Sequence, residues 1–160
     1  MNDSPHRPTV LQRIPPPFLF VVPLIIGLLL ERRFPLLGSH PTWARGAKWV
    51  GIALIVLGVC HALSALTLFA RRRTTLAPHH RSAALVTTGV YRWTRNPMYL
   101  GLTLVYVGVS ALMWAFWPLL FLPLPVIAMN ASVIPMEERL LAEVFGATYA
   151  TYKTRVRRWI

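Results

Sequence analysis

The sequence predicts an all-α polytopic membrane protein, with about four transmembrane helices and a cytosolic amphipathic helix at the C-terminus. Three observations carry that expectation. The 160 residues are 55% hydrophobic and only 14% charged, where soluble domains carry about 25% charged residues. The charges are also segregated: residues 14–30, 49–70, 98–116 and 117–135 contain no Asp, Glu, Lys or Arg. Those runs are 17, 22, 19 and 19 residues long, against about 20 for a helix that crosses a bilayer. Finally, a helix satisfies its own backbone in lipid, and too little chain remains to cover four such helices in a soluble fold.

Along the chain, residues 1–13 are polar and proline-bearing and read as a disordered cytosolic leader. The first span, 14–30, opens on Pro15, Pro16 and Pro17, tolerable where a helix start leaves its N–H groups unpaired, and Pro23 predicts a kink. It does not read as a cleavable signal, because "ERRF" follows it in place of a small-residue cleavage site. In the second span, 49–70, Gly51, Gly58, Ala62 and Ala65 share one helix face on which another helix can approach closely. Gly101, Gly108 and Ala111 repeat the device in the third span, 98–116. Spans three and four read as a hairpin turning near 115–120, with Trp114 and Trp117 suited to an interfacial aromatic belt. Pro118, Pro123, Pro125 and Pro135 make the fourth span, 117–135, irregular. In the tail, 136–160, Met136, Leu140, Leu141, Val144, Phe145, Tyr149 and Tyr152 recur at helical spacing opposite a charged face. An interruption is expected near Gly146, and the basic end "KTRVRRWI" suits anionic lipid.

Thirteen of the 17 Lys and Arg residues fall in the N-terminus, the loop 71–97 and the tail. The other side of the four-span arrangement holds Arg32, Arg33, Arg45 and Lys48. The positive-inside rule therefore puts both termini in the cytoplasm of an integral membrane protein, which in a bacterial cell would be one of the inner or plasma membrane. The net charge of +12 reads as juxtamembrane charge facing anionic headgroups rather than as a nucleic-acid surface. The single Cys60 is a packing residue on this reading, and His61, mid-span, is read as hydrogen-bonded to a neighbouring helix. No His or Cys pair has a metal-ligand spacing, and His79–His80 lies in an arginine-rich loop, so no metal is expected. No Gly-x-Gly-x-x-Gly is present, which excludes a Rossmann-type nucleotide site.

The densest polar chemistry precedes the third span, in "GVYRWTRNPMYLGL". The acids number five, and two of them, Glu137 and Glu138, follow the fourth span. Taken alone, adjacent glutamates there complement a helix N-terminus. The hairpin, however, brings Arg92, Arg95, Asn96 and Tyr99 towards Glu137 and Glu138 at one membrane interface. Arg95 can hold a carboxylate bidentately, the glutamates can accept from an ammonium or from ribose hydroxyls, and Asn96 both donates and accepts. The set suits a zwitterion, or a nucleoside with an amino-acid tail.

"LVTTGVYRWTRNPMYLG", followed about 36 residues later by "EERLLAEVFGATYATYKTRVRRWI", resembles the isoprenylcysteine carboxyl methyltransferase family, which is related to the phospholipid methyltransferases. The matching positions are Gly89, Tyr91, Arg95, Asn96, Pro97, Tyr99, Gly101, Glu137, Glu138, Phe145, Gly146, Tyr149 and Tyr152. The resemblance covers residues 85–160. It implies an integral-membrane methyltransferase using S-adenosyl-L-methionine, enclosed between the last helices and the tail. Gly89, Tyr91, Asn96, Pro97, Tyr99, Leu100, Glu137 and Glu138 would bind the cofactor, and Arg95 and Glu138 would act at the reacting centre. The family's histidine is Asn96 here, which can hydrogen-bond but cannot act as a base. Membrane lipids and a lipophilic or prenylated small acceptor are the implied partners, with methylation at a carboxylate or other oxygen. Three alternatives remain: a phospholipid or amine N-methyltransferase; an NADPH-dependent membrane reductase, for which only Arg71–Arg73 offers a phosphate site; and a non-catalytic membrane scaffold. Loss of Arg95 or of the glutamate pair would favour the scaffold, and both are present.

Overall fold

Prolines set most of the helix starts. In the computed structural model, which describes residue 11 and residues 14–38, 41–71 and 85–160, α1 runs Pro16–Arg33, α2 Pro41–Arg71 and α3 Pro97–Leu112. Then follow α4 (Trp117–Phe121), α5 (Pro123–Ala128) and α6 (Ile134–Arg155), with a 3-10 turn at Gly89–Arg92 and a π turn at Met129–Val133. Pro97, Pro118 and Pro135 each lie in the first turn of their helix, where a missing N–H costs nothing. The chain is all-helical, with no strand among the described residues. Most of the expected leader 1–13, and Arg72, Arg73, His79, His80 and Arg81 of the loop, lie outside the described residues.

From Trp117 the backbone runs as a helical rod without a loop as far as Gly146, and resumes as helix from there to Arg155. The boundary expected at 135/136 therefore falls inside α6, whose first residues precede it and whose later turns, with Glu137 and Glu138, run on beyond the apolar run 117–135. Pro135 has no N–H to offer the preceding turn, and the helix absorbs that by widening to the π turn beside it. The rod breaks later, at Gly146 (φ 49°, ψ −123°), a conformation that essentially only glycine adopts. This rod and Thr42–Ala70 of α2 are long and apolar enough to cross a membrane. α3 is apolar but shorter, at 16 residues, and α1 ends in Glu31, Arg32 and Arg33.

The glycine stripes do the work expected of them. A Cβ at Gly58 would stand 2.7 Å from the Gly101 carbonyl oxygen, and one at Gly101 equally close to that of Gly58. Gly51 and Gly108 form the same reciprocal pair one heptad away, at 2.6 and 2.8 Å. α2 and α3 thus run antiparallel with their backbones in contact, which fixes where the start of α3 lies against α2. Two hydrophobic clusters flank this pair. Phe20, Tyr99, Tyr106, Met129, Val133 and Ile134 form the larger, and Ala65, Val86 and Tyr91 the smaller; Met98 packs against both. Cys60 is exposed on α2 rather than packed.

At the end of the bundle remote from Arg95, buried Glu31 ties the hairpin turn to α1. Its Oε2 accepts the N–H groups of Phe116 (2.7 Å) and Trp117 (3.0 Å), and its Oε1 that of Leu36 (2.9 Å). Trp114 and Trp117, expected as belt residues, donate their indole N–H to the carbonyls of Gly38 and Phe34.

Candidate functional site

The start of α3 and the middle of the rod meet at the opposite end. Arg95 and Asn96 occupy the two positions before α3, and Glu137 and Glu138 lie in the first turns of α6. The hairpin carries one pair to the other. Arg95 Nη1 stands 3.0 Å from Glu138 Oε1, off the line of a hydrogen bond. Its Nε and Nη1 are buried and have no hydrogen-bond partner among the described residues. Buried guanidinium donors left unpaired are costly, so this is a place where an anionic group would be bound favourably.

Glu138 faces three cations. Arg158 grips it with two bonds, Nε to Oε1 at 3.1 Å and Nη2 to Oε2 at 2.8 Å, and Lys153 Nζ lies 3.9 Å from Oε2. Burial alone would push the Glu138 carboxyl up, but the Arg158 hydrogen bonds and the charges of Arg95, Arg158 and Lys153 outweigh it and hold it below the usual carboxylate range. Glu138 is therefore a fixed anion that orients Arg95. Glu137 differs. Burial pushes its carboxyl up to about 7, the neighbouring Glu138 charge adds to that, and the hydroxyl of Tyr99, which donates to Oε1, opposes it. Of the two acids, Glu137 is the one that can exchange a proton near neutral pH.

The resemblance implied a tail enclosing this end; sequence reasoning did not foresee that the tail does so with main-chain carbonyls. After the Gly146 break the chain turns back, and its carbonyls collect the donors ahead of α3. Arg157 O accepts from Arg95 N (3.0 Å), and Arg158 O accepts from both Thr94 Oγ1 (3.1 Å) and Asn96 Nδ2 (2.9 Å). Trp159 packs on the larger cluster and donates its indole N–H to Asn130 Oδ1 beside the π turn (3.0 Å). The Tyr152 hydroxyl, from the same tail, donates to the Tyr91 carbonyl at 2.7 Å.

The residues expected at the site divide accordingly. Arg95, Asn96, Tyr99, Glu137 and Glu138 come together, with Asn96 buried and its amide donating to the tail. Pro97 is fully buried at the start of α3, and Leu100 returns its N–H to Asn96 O. Tyr91 is buried, its ring edge-on to Phe69 at 5.5 Å. Gly89 (φ +62°) is exposed, and a Cβ there would meet Leu68 at 2.8 Å. Arg92 does not join the glutamates. It is exposed and lines an open groove of about 620 Å³ against α2, together with His61 and Gly89. The 3-10 turn ends at Arg92, and beyond it the chain runs irregularly through Trp93 and Thr94 to Arg95, whose N–H is held by the tail carbonyl of Arg157, so the two arginines face different surroundings. His61, expected to bond a neighbouring helix, has its Nε2 buried and without a partner among the described residues. Arg158, Thr94 and Trp159 were missed. Among the described residues no group of three His, Cys, Asp or Glu side chains could hold a metal.

Fold and site together define a class: an apolar helical protein whose polar chemistry is concentrated at one end, where the chain's tail folds over the start of a helical hairpin. Residues 47–148 match the model of the phospholipid methyltransferase family, and the chain belongs to that family. It is also related to isoprenylcysteine methyltransferases. Protein-S-isoprenylcysteine O-methyltransferase B of Arabidopsis thaliana is 31% identical over 131 residues, covering 77% of this chain and 61% of the relative. Protein-S-isoprenylcysteine O-methyltransferase of Saccharomyces cerevisiae is 36% identical over 72 residues, 45% of this chain and 30% of that one. The chain thus spans less than two thirds of the length of either relative.

Proposed function

We propose that this chain is an integral-membrane methyltransferase that uses S-adenosyl-L-methionine to methylate a lipophilic acceptor at a carboxylate or other oxygen. The observation that carries the reading is Arg95, whose buried Nε and Nη1 make no hydrogen bond among the described residues although Nη1 stands beside Glu138, next in sequence to the Glu137 that Tyr99 holds. This donor set fits the cofactor: Arg95 would take its carboxylate, and Glu137 would take its ammonium group or ribose hydroxyls. When bound, that cofactor supplies an electrophilic methyl group on a sulfonium. The protein's own part is alignment and exclusion of water. Glu138, pinned by Arg158, holds Arg95 in place, while Trp159 and the tail carbonyls fix the wall that covers the start of α3. Four membrane crossings with cytoplasmic termini suit this arrangement, because the basic site then faces the aqueous side where the cofactor is found.

A carboxylate acceptor is nucleophilic as it stands and needs no base. One observation favours a second reading, amine methylation: Glu137, with its carboxyl pushed up to about 7, can accept the proton an ammonium must lose. Incubation of the purified protein with labelled methyl donor and either prenylated thiol acids or amine-headgroup lipids separates the two. The first reading expects base-labile label on the acid. Label on the amine lipid alone would replace it with the second, and no label on either would contradict both.

A further inference from the structure

The open groove on α2 shares no residue with the Arg95–Glu138 cluster, and its chemistry is of another kind. It is lined by His61, Ser64, Thr67 and Leu68 of α2 on one wall and by Arg92 and Trp93 on the other. Among the described residues no carboxylate lines it. His61 Nε2 is buried without a partner among the described residues, Arg92 is exposed, and Trp93 is 77% exposed beside it. One turn along α2 from His61, away from the arginine-bearing end, the same helix face presents Leu57, 55% exposed.

From these we infer that the groove is a binding site for one anionic phospholipid, with its phosphate between Arg92 and His61 and an acyl chain along Leu57. A guanidinium, an imidazole nitrogen and the Ser64 hydroxyl complement a phosphate oxyanion. An indole at the rim is a headgroup-level anchor. The apolar strip continuing along α2 distinguishes a lipid from a soluble anion, which would use the polar end alone. The lipid is a resident rather than the methyl acceptor, so the inference does not depend on the proposed reaction.

Native mass spectrometry of the whole detergent-purified protein, titrated with phosphatidylglycerol or phosphatidylcholine, tests it. Phosphatidylglycerol should be retained in preference, and Arg92→Ala should weaken its retention by about fivefold, the scale of one arginine at an anionic surface. His61→Phe, which keeps a ring in place, should weaken it as well. Binding of S-adenosyl-L-methionine by calorimetry should be unchanged in Arg92→Ala, so failure here and failure of the proposed function are told apart. Equal retention of the two lipids, or no response to either variant, would overturn the inference. So would calorimetric binding of inorganic phosphate to delipidated protein with the affinity of the lipid, which would give the site to a soluble anion. A photoreactive benzoylphenylalanine replacing Trp93 should label phosphatidylglycerol. Label found only on residues 72–84 would assign the groove to the chain itself.

Discussion

The bundle carries a buried or half-buried carboxylate cluster at each end, and the two are satisfied in different ways. Glu31 at one end spends both oxygens on backbone N–H groups, those of Leu36, Phe116 and Trp117. Nothing is left over, and the result is a clasp between α1 and the hairpin turn. At the other end Glu137 and Glu138 face side chains: Tyr99, Arg95, Arg158 and Lys153. There hydrogen bonding is incomplete, since the buried Nε and Nη1 of Arg95 make no hydrogen bond among the described residues. A carboxylate saturated by backbone holds a fold together, whereas one embedded among excess cations leaves room for a ligand. The same residue type is structural in one place and chemical in the other.

Breaking the clasp should have the largest effect on stability and the least on chemistry. Glu31→Ala strands three N–H groups and is expected to cost about 3 kcal/mol, read by denaturant titration in detergent, while cofactor affinity of the folded fraction stays as it was. At the other end Glu138→Gln should cost about 2 kcal/mol, because Arg95 and Arg158 lose their common partner in a half-buried setting. Here affinity for the cofactor falls as well. Its folded-state carboxyl lies below the ordinary value, so this stabilisation is present at neutral pH and fades as acid protonates Glu138. Gly146→Ala forces a Cβ into a left-handed conformation at an open position and should cost about 1–2 kcal/mol, with the tail released and Trp159 fluorescence shifted to the red.

Glu137→Gln should act in the opposite sense to these losses, and the sign of its change is the informative part. Its folded carboxyl is raised, so the protonated form is favoured and the wild-type protein loses stability as pH rises through about 7. The amide imitates the protonated acid, so above that pH the variant should be the more stable protein, with the gap wider at pH 8 than at pH 6 in paired denaturation curves.

How much of this was legible follows from the kind of contact involved. The Gly51–Gly108 and Gly58–Gly101 pairing could be anticipated because small residues at a spacing of seven can serve one purpose in apolar helices. The meeting of Arg95 with Glu138 was legible from connectivity alone, since a two-helix hairpin returns its ends to each other. The clasp at Glu31 was not, because its partners are main-chain N–H groups up to 86 positions away and carry no residue code. The tail's return was hidden for a similar reason. Arg157 and Arg158 contribute carbonyl oxygens as well as charge, and their direction is set by one backbone torsion at Gly146. Arg92 misled because arginines close in sequence were read as neighbours in space, although Arg92 closes the 3-10 turn and Arg95 lies past it, in irregular chain bound to the tail.

The claim that matters most is that Arg95 is held open for a ligand. Isothermal titration of S-adenosyl-L-methionine into the detergent-purified protein, beside Arg95→Ala and with helical content checked by circular dichroism, tests it directly. The unmodified protein should bind, and the variant should bind at least tenfold more weakly, about 1.4 kcal/mol, with its helices intact. Equal affinity in the two proteins, or no binding by the unmodified one, would contradict the account.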